Sequence, residues 1–286
     1  MSVLVSVLIP AHNEAGYIGS CLDAVFASDP LPGNAEGEVL VLANGCSDET
    51  AAQARAVQPP EGWKLKVLEQ AEGSKLGALN VGDAAARGDV LVYLDADVTV
   101  SPQLIPQLTA ALTAGPSAAA NRCVPRYASG SPQVPRAQSA ITRAYARIWT
   151  QLPFFTNGVP GFGIFAMSRA GRQRWEDWPD IIADDIFARL NFAPTERIRV
   201  PATYNWPMVE GLRNLIRVRR RQNAGVAEIG QRHPNLAKNE DKPRPAKADL
   251  LRLMATDPAG FVVYALVAAA VKTPLFASSK RWTRGR

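Results

Sequence analysis

The sequence is poor in cysteine, and its prolines and glycines are not concentrated in one region. Its three cysteines, Cys21, Cys46 and Cys123, are far apart, show no metal-binding spacing and are odd in number. This pattern argues against a disulfide framework and favours a reducing compartment, so a cytoplasmic location is expected. The 22 prolines and 21 glycines are spread along the chain, which excludes a low-complexity or disordered protein for most of its length.

Long apolar runs are also absent. The longest, Phe261 to Val271, is well short of the about 20 residues that cross a bilayer. The first ten residues, MSVLVSVLIP, are apolar but lack a basic segment and continue as a strand pattern. The chain is therefore expected to carry no signal peptide and not to cross a membrane.

Apolar residues and positive charge are plentiful. The 286 residues are 47% hydrophobic and 20% charged, which suits one large α/β domain with an extension. The net charge is +6, and most of the excess follows position 196. Phosphate-bearing ligands, nucleic acid or an anionic membrane surface are the partners that this charge favours.

Strand and helix patterns alternate in the first hundred residues. Strands are predicted at 3–9, 39–43, 65–68 and 89–94, and helices at 17–26, 47–57 and 75–86. Asn13 and Glu14 are expected to open the first helix, and Ser47 to cap the second. This order predicts a mostly parallel sheet with helices on both faces, whose ligands lie beyond the carboxyl ends of the strands.

The second half of the chain is less regular. It is expected to contain a helix at 137–152, a glycine-rich turn at 158–163, a strand at 164–167 and a helix at 182–190. A polar, proline-containing segment at 232–248 is typical of a linker or loop. The sequence thus divides into residues 1–231, this linker, and an apolar and basic helical extension at 249–286.

Two carboxylates follow the strand at 89–94. Asp95 and Asp97 flank the small residue Ala96, so both can converge on one hard cation that also takes diphosphate oxygens. Mg²⁺ or Mn²⁺ is the expected ion. The alternative is that these acids only end a strand and form a turn.

Six segments in order resemble the signatures of family 2 glycosyltransferases with the GT-A fold. They are VSVLIPAHNE (5–14), ANGCSDET (43–50), GSKLGALNVG (73–82), YLDADV (93–98), GFGIFAMSR (161–169) and ADDIFARL (183–190). The resemblance implies a catalytic domain over residues 1–231, a nucleoside-diphosphate sugar as donor, and Asp95 and Asp97 as metal ligands. Asn44 stands where relatives often carry Asp, and Asp184 where Glu is usual.

Site residues follow from the resemblance and from local patterns. Those expected to bind the nucleotide sugar are Pro10, Ala11, Glu14, Asn44, Asp48, Lys75, Asp95, Ala96 and Arg217. The resemblance makes Asp185 the general base, with Asp184 as the other candidate. Gly161, Phe162 and Gly163 are expected to let the backbone approach sugar or acceptor. Each assignment has a structural alternative. Asp48 could be an acid that stabilises a helix N-terminus, Asn44 a turn residue, and residues 161–163 a plain turn. Lys75 could be a solvated lysine, and Asp185 could form a surface ion pair with Arg189.

Two basic regions complete the pattern. Arg213, Arg217 and Arg220 recur on one helix face, which suits phosphates of the donor or of a lipid-linked acceptor, or a solvated face. Phe261 to Val271 precede Lys272, Lys280, Arg281, Trp282, Arg284 and Arg286, a combination typical of a helix on the inner surface of an anionic membrane or of one packed on the catalytic domain.

The predicted reaction is transfer of a sugar to a carbohydrate or lipid-linked hydroxyl with inversion. Two other functions stay open. A nucleotidyltransferase also holds metal and phosphates beside a parallel sheet, but it tends to have a glycine-rich basic loop where this chain has PAHNE. A nucleic-acid-binding module would use the arginines, yet the basic segment lacks interleaved aromatic residues, so no nucleic acid is expected.

Overall fold

Eight strands among the described residues form one sheet. The computed structural model describes residues 2–114, 124–243 and 245–273, so Cys123 and the basic residues from Lys280 onward lie outside the described residues. The strands are β1 (Leu4–Ala11), β2 (Glu36–Asn44), β3 (Trp63–Gln70), β4 (Val90–Leu94), β5 (Thr99–Val100), β6 (Tyr127–Gln133), β7 (Ile164–Ser168) and β8 (Arg197–Asn205). Their order across the sheet is β3-β2-β1-β4-β7-β6-β8-β5.

Strand direction changes once the sheet passes β4. Strands β3, β2, β1 and β4 run parallel to one another, while β7 is antiparallel to both β4 and β6. Beyond β7, β6 pairs with β8 in parallel and β8 with β5 in antiparallel. The β1, β2 and β4 sequences are runs of Val, Leu and Ile because they are buried on both faces.

Helices follow most strands. The described α-helices are α1 (Ile18–Phe26), α2 (Thr50–Ala56), α3 (Lys75–Ala85), α4 (Leu104–Thr113), α5 (Ala140–Trp149), α6 (Pro153–Thr156), α7 (Arg169–Arg172), α8 (Asp184–Leu190), α9 (Leu212–Arg232), α10 (Lys247–Thr256) and α11 (Pro258–Val271). Short 3₁₀ turns lie at Pro32–Asn34, Pro194–Glu196 and Pro234–Asn239. This is the α/β architecture that the sequence predicts.

Two helix starts differ from the prediction. Helix α1 begins at Ile18, because Asn13 has φ of 54° and the chain turns before the helix. Helix α2 begins at Thr50 rather than after Ser47, because the Asp48 carboxylate accepts from the Thr50 amide at 3.1 Å and ends the loop there. Both loops lie at the carboxyl ends of strands.

The contacts divide the chain into two units. The sheet unit comprises Met1–Gln133, Gly161–Asp180 and Asp184–Trp206, and its apolar core contains residues of β1, β2, β4, α1 and α4. The helical unit comprises Val134–Pro160, Ile181–Ala183 and Pro207–Arg286, where α11 packs on α5 and α9. The predicted boundaries at 231 and 248 stay predictions, since a compact unit within one chain is not by itself an independent domain.

No helix in the described part of the chain combines the length and the apolar character that a membrane span needs.

Candidate active site

The loops after β1 and β2 are joined through Asn44. Its side-chain amide donates to the carbonyl oxygens of Ala11 at 3.0 Å and Leu42 at 3.1 Å, and it is buried. Its backbone oxygen lies 2.6 Å from Nδ1 of His12, which must donate because a carbonyl only accepts. Asn44 therefore holds two strand ends together, which is a structural role. Its predicted contact with the nucleotide would be a second role. Pro10 and Ala11 end β1 at the same edge.

Backbone packing at this edge is close. Gly45 has φ of 55°, and a Cβ there would lie 2.6 Å from the backbone nitrogen of Gly73. A Cβ on Gly73 would in turn lie 3.3 Å from Cε1 of His12. The chain segments after β1, β2 and β3 thus meet, and Gly45 is required both by its dihedral angle and by the lack of space.

Asp48 organises the start of α2. Its Oδ2 accepts from the amide of Ala15 at 3.2 Å, and its Oδ1 accepts from the amide of Thr50. The Thr50 hydroxyl oxygen accepts from the amide of Glu14 at 2.7 Å. Asp48 and Glu14 are therefore parts of one loop structure. Their roles in binding a nucleotide stay predictions.

Lys75 joins two of the predicted acids. It is the first residue of α3, whose N-cap Ser74 accepts from the amide of Gly77 at 3.1 Å. Its Nζ lies 3.0 Å from Oδ1 of Asp95 and 2.9 Å from Oδ2 of Asp184. The side chains of Lys75 and Asp184 are only 19% and 11% exposed. A strand end and a helix start are thus bridged by one cation, so the solvated-lysine interpretation of Lys75 is wrong.

The charge on this lysine is stabilised by its two partners. Burial alone would lower the pKa of Lys75, but the carboxylates of Asp184 and Asp95 outweigh it and raise the pKa above its usual value. Lys75 therefore stays protonated across the physiological range. One cation between two carboxylates leaves an excess of negative charge at the site.

Asp184 and Asp185 point to different partners, as neighbouring helical residues should. Asp184 faces Lys75, whereas Asp185 accepts from the Ile186 amide at 2.8 Å. Burial raises the pKa of Tyr127 and Tyr204, and the Asp185 charge adds to the rise in both.

The alternative of a solvated surface pair between Asp185 and Arg189 does not fit. Arg189 is 1% exposed. Arg189 therefore belongs to the interior of the sheet unit.

The glycine-rich turn packs on the same aromatic side chains. Gly161 has φ of 73°, and a Cβ there would lie 1.9 Å from Oη of Tyr127. The carbonyl oxygen of Phe162 accepts from the Tyr204 hydroxyl at 2.8 Å. The carbonyl oxygen of Gly163 accepts from the amide of Asp95 at 2.9 Å. The turn is therefore fixed next to the end of β4, and sequence reasoning alone did not find the tyrosines behind it.

A buried network around Asp83 positions α3. Its carboxylate accepts from Tyr93 at 2.6 Å, from Nε of Arg172 at 2.5 Å and from Nε1 of Trp178 at 2.7 Å. Trp178 also packs on Phe187 of α8, with ring centroids 6.3 Å apart. This network links the helices that carry Lys75 and Asp184. Sequence reasoning missed it, because its members are separated by up to 95 residues and follow no local pattern.

The acids after β4 suit a hard cation. Asp97 is half-buried in the turn that follows Asp95 and the buried Ala96. Among the described residues, no three His, Cys, Asp or Glu side chains gather into a ready-made metal site. Mg²⁺ is commonly held by one or two carboxylates together with substrate phosphates, and two aspartates provide such ligands. The residues present thus fit a divalent ion that arrives with a diphosphate.

Arg217 lies in α9, in the helical unit, and its role stays a prediction. Arg220 on the same helix donates to the carbonyl oxygens of Ala270 at 3.0 Å and Thr273 at 2.6 Å. It therefore caps the end of α11. The predicted arginine row is not a uniform phosphate-binding stripe, because one of its members has this structural role.

The fold and the edge of acids, amide and lysine are those that the sequence predicts for a GT-A glycosyltransferase. Residues 6–177 match the model of the family described as Glycosyl transferase family 2, so the chain belongs to that family. This result confirms the resemblance found in the sequence.

Relatives support the family and the fold. The chain is 35% identical over 114 residues, 39% of its length, to the undecaprenyl-phosphate 4-deoxy-4-formamido-L-arabinose transferase of Aeromonas hydrophila, of which the match covers 34%. The chain spans about a third of the length of the curated relatives it matches.

Two solved structures are similar in fold. The mannosyltransferase PcManGT from Pyrobaculum calidifontis, in complex with GDP-Man and Mn²⁺, has a TM-score of 0.59 and 21% identity, covering 96% of this chain and 77% of that one. The glucosyl-3-phosphoglycerate synthase of Mycobacterium tuberculosis, with Mn²⁺ and UDP-glucose, has a TM-score of 0.53 and 21% identity, covering 79% and 78%. At these identities the likeness shows the fold alone.

Proposed function

We propose that the protein transfers a sugar from a nucleoside-diphosphate donor to an acceptor hydroxyl with inversion at the anomeric carbon. The observation that carries this proposal is the bridge of Lys75 between Asp95 and Asp184, beside the glycine-rich turn. A lysine that two acids share can move one of its contacts to a phosphate at small electrostatic cost. The family membership supports the same reaction.

The proposed base is Asp185. In a single displacement, the acceptor hydroxyl gives its proton to an Asp185 oxygen while its own oxygen bonds to the anomeric carbon. The bond from that carbon to the phosphate oxygen breaks, and the nucleoside diphosphate leaves with the electron pair. Asp184 is the less suitable base, because its carboxylate is engaged by Lys75 at 2.9 Å.

Donor binding is assigned to the edge formed by β1, β2 and β4. Pro10, Ala11, Glu14, Asn44 and Asp48 would surround the nucleoside, while Lys75 would pair with phosphate oxygens. Arg217, in the helical unit, stays a predicted phosphate ligand of the donor. A Mg²⁺ or Mn²⁺ ion on Asp95 and Asp97 would neutralise charge on the departing diphosphate.

The acceptor is proposed to be a carbohydrate or a lipid-linked hydroxyl. Gly161 and Gly163 have no Cβ, so the backbone of this turn can approach a sugar closely. Such acceptors belong to polysaccharide or glycolipid synthesis, and we place the reaction in the cytoplasm at the inner face of the membrane. Inversion would convert an α-linked donor into a β-glycoside.

Calorimetry with a panel of nucleoside-diphosphate sugars tests the donor and the metal together. Binding should require Mn²⁺ or Mg²⁺ and should fall at least about tenfold in Asp95→Asn and Asp97→Asn. The exposed Asp29, outside the site, provides the matched control Asp29→Asn, which should bind normally. Absence of any metal-dependent binding across the panel would refute the transferase proposal.

Two outcomes would point to the other functions. Release of pyrophosphate from a nucleoside triphosphate and a sugar phosphate would identify a nucleotidyltransferase. Strong, salt-dependent binding of RNA or DNA without sugar-nucleotide binding would identify a nucleic-acid module.

A further inference from the structure

Helix α11 in the helical unit is apolar on every side, yet it is only partly covered. Its sequence, PAGFVVYALVAAAV, has no charged or amide side chain, and only Gly260 and Val267 are buried. Helices at a protein surface normally place polar residues outward, and one that is apolar all round is normally buried. Part of α11 is therefore exposed without the polar residues that water favours.

Five of the exposed residues of α11 share one side of the helix. We call Ala259, Val262, Ala265, Leu266 and Ala269 the apolar face, since they recur at intervals of three and four residues. Val262 and Leu266 are 57% and 59% exposed. The preceding helix α10 also exposes Leu251 and Met254, three residues apart. Apolar side chains exposed in such numbers mark an interaction surface.

The charge around α11 selects the kind of partner. No acidic residue occurs from Pro258 to Arg286, whereas Lys272, Lys280, Arg281, Arg284 and Arg286 are basic. Within the described residues, Lys272 directly after the helix and Lys247 and Arg252 on α10 are exposed. An apolar face with cations beside it complements a surface that is apolar inside and anionic outside, as a bilayer with acidic lipids is.

We propose that the apolar face of α11 docks in the surface of a membrane that contains anionic lipids. The 14 residues of α11 measure about 21 Å, less than the hydrocarbon thickness of a bilayer, so the helix lies along the surface. The opposite side of α11 stays packed on α5 and α9. Arg220 on α9, which holds the helix end through its carbonyl oxygens, keeps α11 in place while its face inserts.

Flotation of the full chain with lipid vesicles tests this proposal. The protein should float with vesicles of phosphatidylcholine and phosphatidylglycerol, and less so at high salt. The double substitution Val262→Glu and Leu266→Glu should lower the bound-to-free ratio at least about tenfold. Val81→Glu is the matched control, because Val81 is an exposed helical valine of the sheet unit, and it should float like the wild type.

A second variant separates lost insertion from added repulsion. Val262→Ser with Leu266→Ser introduces no charge and should also weaken flotation. All variants should unfold near the wild-type temperature, since Val262 and Leu266 are more than half exposed and Val81 is 41% exposed. Flotation requires no donor or acceptor, so its result is independent of the proposed transfer reaction.

Three results would overturn the proposal. One is flotation that the double substitutions leave unchanged. Another is equal binding to vesicles with and without phosphatidylglycerol. The third is absence of flotation. Analytical ultracentrifugation would then show whether the chain is a monomer or a dimer. A dimer that the double substitution dissociates would mean that a second copy covers the apolar face.

Discussion

Two buried acids in the sheet unit, Glu38 and Asp184, differ in how they are neutralised. Glu38 on β2 is 5% exposed, and its Oε1 accepts from the Ser6 hydroxyl at 2.6 Å and from the Arg87 amide at 2.8 Å. Asp184 is 8% exposed and is paired with Lys75, which also contacts Asp95. Glu38 is thus held by the short Ser6 side chain and a backbone amide, whereas Asp184 is held by the long side chain of Lys75, which it shares with Asp95.

This difference indicates a structural role for Glu38 and a functional role for the acids around Lys75. The Ser6 hydroxyl oxygen also accepts from the Gly88 amide at 2.8 Å, and a Cβ on Gly88 would lie 2.6 Å from the Ser6 backbone nitrogen. Glu38 therefore belongs to a closed network without space for a ligand. In the proposed donor complex Lys75 exchanges one carboxylate for a phosphate, so we expect substitutions at Glu38 to change stability and those around Lys75 to change activity.

The largest effect is expected at Asp185. Asp185→Asn should lower kcat by about 10²–10⁴-fold, because an amide cannot accept the acceptor proton. Donor affinity by calorimetry should stay within about twofold of wild type. Glu38→Gln is the control and should keep kcat. A normal kcat in Asp185→Asn, with loss in Asp184→Asn, would instead make Asp184 the base.

The parts of this site that depend on motif order could be predicted from the sequence. The positions of Asp95 and Lys75 follow from the strand pattern, because carboxyl ends of parallel strands share an edge. Asp184 is predicted from the resemblance of ADDIFARL to the family signature. The alternation of β-branched runs with helical spacing also predicted the α/β fold. These signals are local, so a single sequence contains them.

Other features depend on contacts between distant segments. The antiparallel direction of β7 and the packing of Tyr127 and Tyr204 behind the glycine-rich turn leave no local pattern. The same is true of Asp83, whose partners are brought to it by the folded sheet unit. The apolar spacing of α11 was visible, but which side would be covered depended on α5 and α9.

The next largest effect is expected at Gly161, beside the predicted catalytic acids. Gly161→Ala forces φ of 73° on alanine and places a Cβ 1.9 Å from the Tyr127 hydroxyl, so it should cost about 3 kcal/mol of unfolding free energy and lower activity.

Gly158→Ala is the matched control for this change. Its φ is 71°, and the nearest atom to its Cβ is 3.8 Å away, so only about 1–2 kcal/mol should be lost. Adding Tyr127→Phe to Gly161→Ala should recover part of the difference. Equal losses in the two alanine variants, measured by urea unfolding, would show that the tyrosine does not constrain the turn.

A smaller effect is expected at Lys75 itself. Lys75→Met should weaken donor binding by about 10–100-fold, because a charge-assisted contact to the diphosphate is lost. Lys75→Arg should retain much of the affinity. Unchanged affinity in Lys75→Met would mean that this lysine only joins α3 to α8, as Arg87 joins its turn to Glu38.

Glu38→Gln should act on stability alone. It should cost about 1–2 kcal/mol of unfolding free energy, because an amide replaces a charged acceptor of buried hydrogen bonds. The guanidinium of Arg87, 3.1 Å away, is largely exposed, so its share is small. Donor affinity should not change. A loss of donor binding in this variant would break the contrast between the two acids.

The smallest effect is the pH dependence that Glu38 adds. Burial acts to raise the pKa of Glu38, but hydrogen bonds from Ser6 and Arg87 outweigh it and lower the pKa below its usual value. The folded state therefore binds the proton less readily than the unfolded state. The resulting stability is complete above the unfolded pKa of about 4.3 and disappears as pH falls through the lower folded pKa. The free energies of unfolding of wild type and Glu38→Gln in urea should thus differ by a constant amount above about pH 5, and this difference should shrink toward about pH 3. A difference that grows as the pH falls would mean that the carboxyl group of Glu38 is protonated in the folded state.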